Sequence, residues 1–365
     1  MSPQPAATTV SGGDDKLIGI ELLRFASAVA VLVFHYQHFA VVGTVQTNFV
    51  ASQQPFYSIL RLFYSYGYYG VQVFWCISGF IFFWKYGQAI SQRRISGYRF
   101  FILRWSRLYP LHFATLLIVA ALQMVYLSIN GAYYIYANND FYHFVLQLFM
   151  ASNWGFQKGD SFNGPIWSIS IEVLAYCVFF LGLRYVSGST AFVILMTLLA
   201  AAVQLMHISS HPLFTCLMFF YLGGLTAIVY ARVNRAARAR LLVTGAALAG
   251  IAVACALPYF VTVKSMYILP VLSPALIFLC VTYVPSNKFS SGFLVAAGSM
   301  TYSSYLLHVP IQLAAATIAT YAHLSFPIYH AWFFLAFLGV TLLLSFYCYK
   351  YFEIPAQNYL RLRFK

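Results

Sequence analysis

Residues Arg24–His35 read RFASAVAVLVFH. Of the ten residues between the guanidinium and the imidazole, nine are apolar and only Ser27 is not. The surrounding apolar run extends over 17–41, and a bilayer span needs about 20 such residues. A transmembrane helix is expected here. At 100° per residue, eleven steps make three turns plus about 20°, so Arg24 and His35 share one helix face, roughly 16 Å apart along the axis. His38 lies one turn further on the same face.

Two readings of this stretch stand side by side. In the plain one, Arg24 snorkels to headgroups and His35 is a hydrogen-bonded interior histidine. In the other, both face a wet passage that admits an anionic ligand at the arginine end and does proton chemistry at depth.

The rest of the chain has the same character. Of 365 residues, 62% are hydrophobic and 8% charged, and mean hydropathy is +0.77. A soluble domain of this size cannot hide that much apolar surface. Nine further apolar runs lie at 68–86, 110–129, 165–186, 190–206, 212–231, 241–260, 266–284, 300–320 and 331–350. The fold class expected is all-α, a polytopic membrane bundle of about ten transmembrane helices with a central cavity. The segment 141–152 is too short to cross. The organisation expected is a disordered cytoplasmic tail over 1–16, one transmembrane domain over 17–352, and a short cytoplasmic tail over 353–365.

The formal charge of +14 could suggest nucleic acid. With the N-terminus inside, however, the inner segments and helix ends hold 18 of the 21 Lys and Arg residues. Only Arg61, Lys158 and Lys264 fall outside. This is the positive-inside bias of a membrane protein. No nucleic-acid partner is expected, and both termini are expected in the cytoplasm. The six cysteines fall within apolar runs without metal-ligand spacing, so buried free thiols are expected and no metal.

Polar residues inside spans are expensive and therefore informative. Arg104 and Arg107 are i,i+3 neighbours just before Pro110, at the start of the third span, in a basic and aromatic segment. That segment reads either as an interfacial helix on anionic lipid or as a paired-guanidinium grip on a nucleotide or pyrophosphate. In the second span, Gly70, Ser78 and Gly79 read as small residues permitting close helix contact. The fourth span opens NGPIWSISIE, with Asn163 and Trp167 at the outer mouth and Glu172 about one and a half turns inside. Glu172 either pairs with a basic group or takes part in binding or catalysis. In SMTYSSYLLHVP, Tyr302, Tyr305 and His308 recur at three-residue steps. Glu353 is expected to pair with inner-surface basic residues. The tyrosine-rich outer stretches 64–70 and 130–140 suit an interfacial belt, or stacking on sugar rings.

Taken together, these pieces resemble the acyltransferase 3 family of membrane acyltransferases. The resemblance rests on Arg24 and His35 with ten residues between them, and on GVQVFWCISGF at 70–80, one residue longer before the serine than the family pattern. It continues through R-x-x-R-x-x-P at 104–110, W-S-x-S-x-E at 167–172, SMTYSSYLLHVP at 299–310 and E-x-P at 353–355. It implies a bacterial cytoplasmic-membrane enzyme that moves an acyl group, commonly acetyl, from cytoplasmic acyl-CoA to a hydroxyl of a glycan or similar acceptor. On that basis Arg24, Arg104 and Arg107 are expected to hold CoA phosphates. His35 is expected to act as general base or to carry the acyl group, and Glu172 and His308 to orient it or the acceptor. Asn163, Trp167 and Tyr305 are expected on the acceptor side. A transporter or flippase of an anionic lipid-linked or nucleotide substrate would share the arginine mouth and the intramembrane histidine. The oligomeric state stays open.

Overall fold

The computed structural model describes residues 17–47, 49–262, 264–284 and 288–364. The tail expected over 1–16 lies outside them. Fifteen α-helices follow in order: α1 Ile18–His35, α2 Tyr57–Tyr66, α3 Gly70–Phe82, α4 Gln88–Ser91, α5 Gly97–Asn130, α6 Phe141–Leu148, α7 Ile166–Leu181, α8 Thr190–Leu205, α9 Pro212–Val233, α10 Ala237–Ala256, α11 Ser265–Tyr283, α12 Lys288–Ser299, α13 Thr301–Tyr321, α14 Ala331–Cys348 and α15 Ile354–Arg363. The described strands are a two-residue pair, Val41–Val42 against Val45–Gln46, turned through Gly43 at positive φ.

Among the described residues, seven helical stretches are long and apolar enough to cross a membrane: Ile18–Ala40, Gly97–Asn130, Ile166–Val186, Pro212–Val233, Ala237–Phe260, Met266–Tyr283 and Ala331–Arg363. All seven fall on expected spans. The other three expected spans are helical too. Gly70–Ser91 runs on from α3 through a π-helical turn at Phe83–Gly87 into α4. Thr190–Leu205 is apolar but only 16 residues long, and Thr301–Tyr321 has 21. The segment 141–152 holds only the eight-residue α6.

Lipid tails offer no hydrophobic drive for helix association, so close packing of small residues carries more of it. A Cβ on Gly79 of α3 would strike the Phe220 carbonyl of α9, and one on Gly223 of α9 would strike the Cys76 carbonyl of α3. The two glycines thus form a reciprocal crossing. Gly67 and Gly70 meet the Ala30 and Ser27 carbonyls of α1, and Gly19 of α1 meets the Cys280 carbonyl of α11. Around α1 gather α2, α3, α11, α12 and α13, while α9 joins α3, α7, α8 and α11.

Three elements depart from the sequence reading. Pro110 was expected to open a helix, yet α5 runs through it for 34 residues. Pro110 removes only the one ladder bond, to the Ser106 carbonyl, and the turns on either side carry the helix past it; in the same stretch Tyr302 donates to Leu108 O at 2.5 Å and Arg361 to Leu103 O at 3.4 Å. Residues expected as a terminal tail form a further helix, α15, which continues from α14 and packs along α5. The cysteines are all unpaired, but only Cys76 and Cys216 are buried, while Cys177 and Cys255 are exposed. An apolar run in a membrane protein faces lipid as readily as protein.

The crossing predicts a contrast. Gly79→Val should destabilise the bundle by about 3 kcal/mol or more. Gly245→Val, on α10 where a Cβ would meet nothing within 4 Å, should leave it unchanged. Thermal denaturation of the detergent-solubilised variants checks this.

Candidate functional site

At one end of the bundle, α1, α3, α5, α7, α13 and α15 enclose a cavity of about 490 Å³. Five basic side chains line it: Arg24, Lys85, Arg104, Arg107 and Arg361. The four arginines are each held differently. Arg24 Nη1 donates to Glu21 Oε2 at 3.1 Å, one turn back on α1. Arg104 Nη2 donates to the Tyr86 hydroxyl at 2.7 Å, and its guanidinium lies 4.8 Å from the Phe82 ring centre and 5.0 Å from that of Tyr86. Such stacking suits the weakly hydrated guanidinium. Its Nε is buried without a partner.

Arg107 pairs with Glu353, Nη1 to Oε1 at 3.2 Å. Glu353 is only 2% exposed and also accepts from Ser303 Oγ at 2.7 Å. Arg361 Nε donates to Ser106 Oγ at 3.3 Å. Glu172 lines the cavity as well; it accepts from Tyr176 OH at 2.6 Å and is within reach of the Ser78 hydroxyl.

Further along, Tyr305 and Ser168 line the same cavity, their hydroxyls 2.8 Å apart. Tyr305 also donates to Pro165 O at 2.9 Å. Its ring lies 6.0 Å from that of His308. Behind it stands a cluster of three imidazoles: the His35 ring centre is 4.8 Å from those of both His308 and His38.

Hydrogen bonds fix the tautomer of His35. Its Nδ1 lies 2.9 Å from the Val31 carbonyl, which can only accept, so Nδ1 carries the proton and Nε2 of the neutral ring keeps its lone pair. Gln312 donates from Nε2 to His35 O at 2.8 Å, satisfying a carbonyl at the end of α1, and turns its Oε1 toward His38 Nδ1 at 3.3 Å. His308, wholly buried, sets Nδ1 3.4 Å from Ser304 O, and its Nε2 has no partner.

The structure thus brings Arg24, Arg104, Arg107, Glu172 and Tyr305 to one cavity. It places His35 and His308 together, one ring behind the lining. Asn163 and Trp167 lie apart from the lining. Pro310 lacks an N–H, which leaves the Leu306 carbonyl without its helical donor. Asn163 Nδ2 supplies one at 2.9 Å. Trp167 packs edge-on against Trp75, centres 5.8 Å apart.

Sequence spacing assigns Ser78 to packing, as a small residue beside Gly79. Its carboxylate neighbour comes from α7. Arg361 was legible only as an inner-surface charge. Its i,i+4 spacing from Gln357, another lining residue, is the signal that would have placed both on one face.

A cavity lined by five cations, with imidazoles behind its wall, lies inside a helical bundle of the multi-pass membrane type. The acyltransferase 3 family model, described as an acyltransferase domain, matches residues 17–350. The chain belongs to that family and is a membrane acyltransferase. Comparison with curated proteins and with solved structures returns no match.

The buried pair makes a further prediction. Arg107→Ala strands the Glu353 carboxylate and should cost about 3 kcal/mol. Adding Glu353→Gln should recover most of that loss. A double-mutant cycle on denaturation midpoints reads the coupling.

Proposed function

We propose that this enzyme transfers an acyl group, acetyl in the first instance, from cytoplasmic acyl-CoA to a hydroxyl of a glycan or glycoconjugate at the opposite side of the bilayer. The observation that carries the reading is the cavity itself. Five cations gather at one end, and a histidine with a lone pair on Nε2 stands beside the other. CoA is polyanionic, and guanidinium groups match phosphate in both charge and geometry. The acyl-pantetheine arm would then run past Glu172 and Ser78 toward Tyr305. The positive-inside charge distribution supports the arginine end as the cytoplasmic one.

In the proposed reaction, His35 Nε2 takes the proton of the acceptor hydroxyl as that oxygen attacks the thioester carbonyl. The carbon–sulfur bond breaks, and the CoA thiolate leaves and is reprotonated. Attack by His35 itself, giving an acyl-imidazole that the acceptor then resolves, uses the same lone pair. The Val31 carbonyl holds the ring in the tautomer that either route needs, and Gln312 fixes the helix end that carries it. Tyr305 and Ser168 are the hydroxyls best placed to orient an acceptor.

His35→Ala should lower acetyl transfer by about 10²–10⁴-fold while leaving the denaturation midpoint near wild type. The assay is release of free CoA thiol and labelled acetyl incorporation by purified protein, with and without glycan acceptors. Wild-type rates in the variant would remove His35 from the chemistry. Substrate movement across vesicles without consumption of acyl-CoA would favour a transporter instead.

A further inference from the structure

The family match ends at residue 350, yet the cavity does not. After α14 the chain passes through a π-helical turn at Tyr349–Glu353 into α15, which packs along α5. From α15 the Arg361 guanidinium reaches Leu103 O and Ser106 Oγ. These atoms belong to the same stretch of α5 that carries Arg104 and Arg107. Gln357, one turn earlier on α15 and 9% exposed, lines the cavity beside it.

Charge accounting makes the arrangement informative. Arg104, Arg107 and Arg361 are close enough to act on one another electrostatically. Two carboxylates answer them among the described residues: Glu353, which pairs with Arg107, and Glu172, which acts on Arg104 from the same cavity without a direct ion pair. The direct contacts of Arg104 and Arg361 are neutral: a phenol and two aromatic rings for the first, a hydroxyl and a carbonyl for the second. Arg104 Nε is buried with no acceptor at all. Arg361 has no carboxylate among its described contacts, and beside Arg104 it adds like charge and leaves the Arg104 Nε donor unused. A dianion bound at the two guanidiniums lowers both costs.

We infer that α15 is a working part of the donor site, and that Arg361 with Arg104 forms a subsite for a phosphate group of the donor. The ligand class is a phosphorylated thioester carrier, which rests on the acyl-CoA reading above. A diphosphate and a ribose 3′-phosphate present the same chemistry to this pair. Arg361 is a binding residue in this account, with no part in the bond changes.

The test uses full-length protein in nanodiscs with Arg361→Ala and Arg361→Gln, the glutamine keeping a donor for Ser106. Acetyl-CoA, 3′-dephospho-acetyl-CoA and S-acetylpantetheine are compared as donors. Arg361→Ala should raise KM for acetyl-CoA about tenfold, the loss of one charged hydrogen-bond partner, with the deficit carried by KM rather than kcat. The deficit should disappear with S-acetylpantetheine, which has no phosphate. If it also disappears with the 3′-dephospho donor, the subsite holds the 3′-phosphate; if it persists there, it holds the diphosphate. An equal deficit with all three donors, or no change in KM, overturns the inference.

A second measurement separates this from the donor reading. Pyrophosphate or adenosine 3′,5′-bisphosphate should raise the wild-type denaturation midpoint and raise that of Arg361→Gln less. Stabilisation that depends on Arg361 in a protein that consumes no acetyl-CoA keeps the subsite and removes the donor. Acetyl-CoA consumption with variant and wild type equally stabilised keeps the donor and removes the subsite.

Discussion

The ion pair between Arg107 and Glu353 is the constraint on which the site depends. A carboxylate 2% exposed in a membrane bundle is tolerable only when a cation and a hydrogen bond meet it. Here the cation comes from α5 and the hydrogen bond from Ser303 on α13. Glu353 ends the turn that joins α14 to α15, so one buried charge fastens four helices. That fastening sets the distance from the arginine end to Tyr305 and His308, which ride on the same α13.

Two different solutions to helix packing meet at this site. Toward α9 and α11, the bundle closes by bringing backbones together at glycine, as at Gly79 and Gly223. Toward α13, it closes through polar side chains that serve carbonyls left open by proline or by a helix end. Asn163 on Leu306 and Gln312 on His35 are of this second kind. Carbonyls without helical donors are costly in a dry interior. The side chains that answer them fix the histidine cluster as a by-product.

Much of this was legible in the chain. Apolar run length gave the helices, because hydrocarbon thickness sets a span length independent of tertiary contacts. Arg24, Arg104, Arg107 and Glu172 stood out because charge inside an apolar segment is rare, and all four line the cavity. Ser78, Gln357 and Arg361 did not stand out. A serine near glycine, or an arginine in a terminal segment, is unremarkable until a distant helix brings it a neighbour. Asn163 and Trp167 show the reverse: their position at a helix mouth suggested an acceptor, while their contacts are with Leu306 and Trp75. Local spacing cannot register a carbonyl that Pro310 sets free on another helix.

The lengths of α5 and of the α14–α15 rod carry one more consequence. At 34 and 33 residues, each is about 50 Å long, against roughly 30 Å of hydrocarbon. Neither can stand upright within the lipid, so both lean or protrude, and a thicker or thinner bilayer changes how far. Arg361 ties the two rods at Leu103 and Ser106, at the end where the guanidiniums gather. A lean of either rod is therefore hinged at the clasp, and the far ends, rather than the spacing of the guanidiniums, take up a change in lipid thickness.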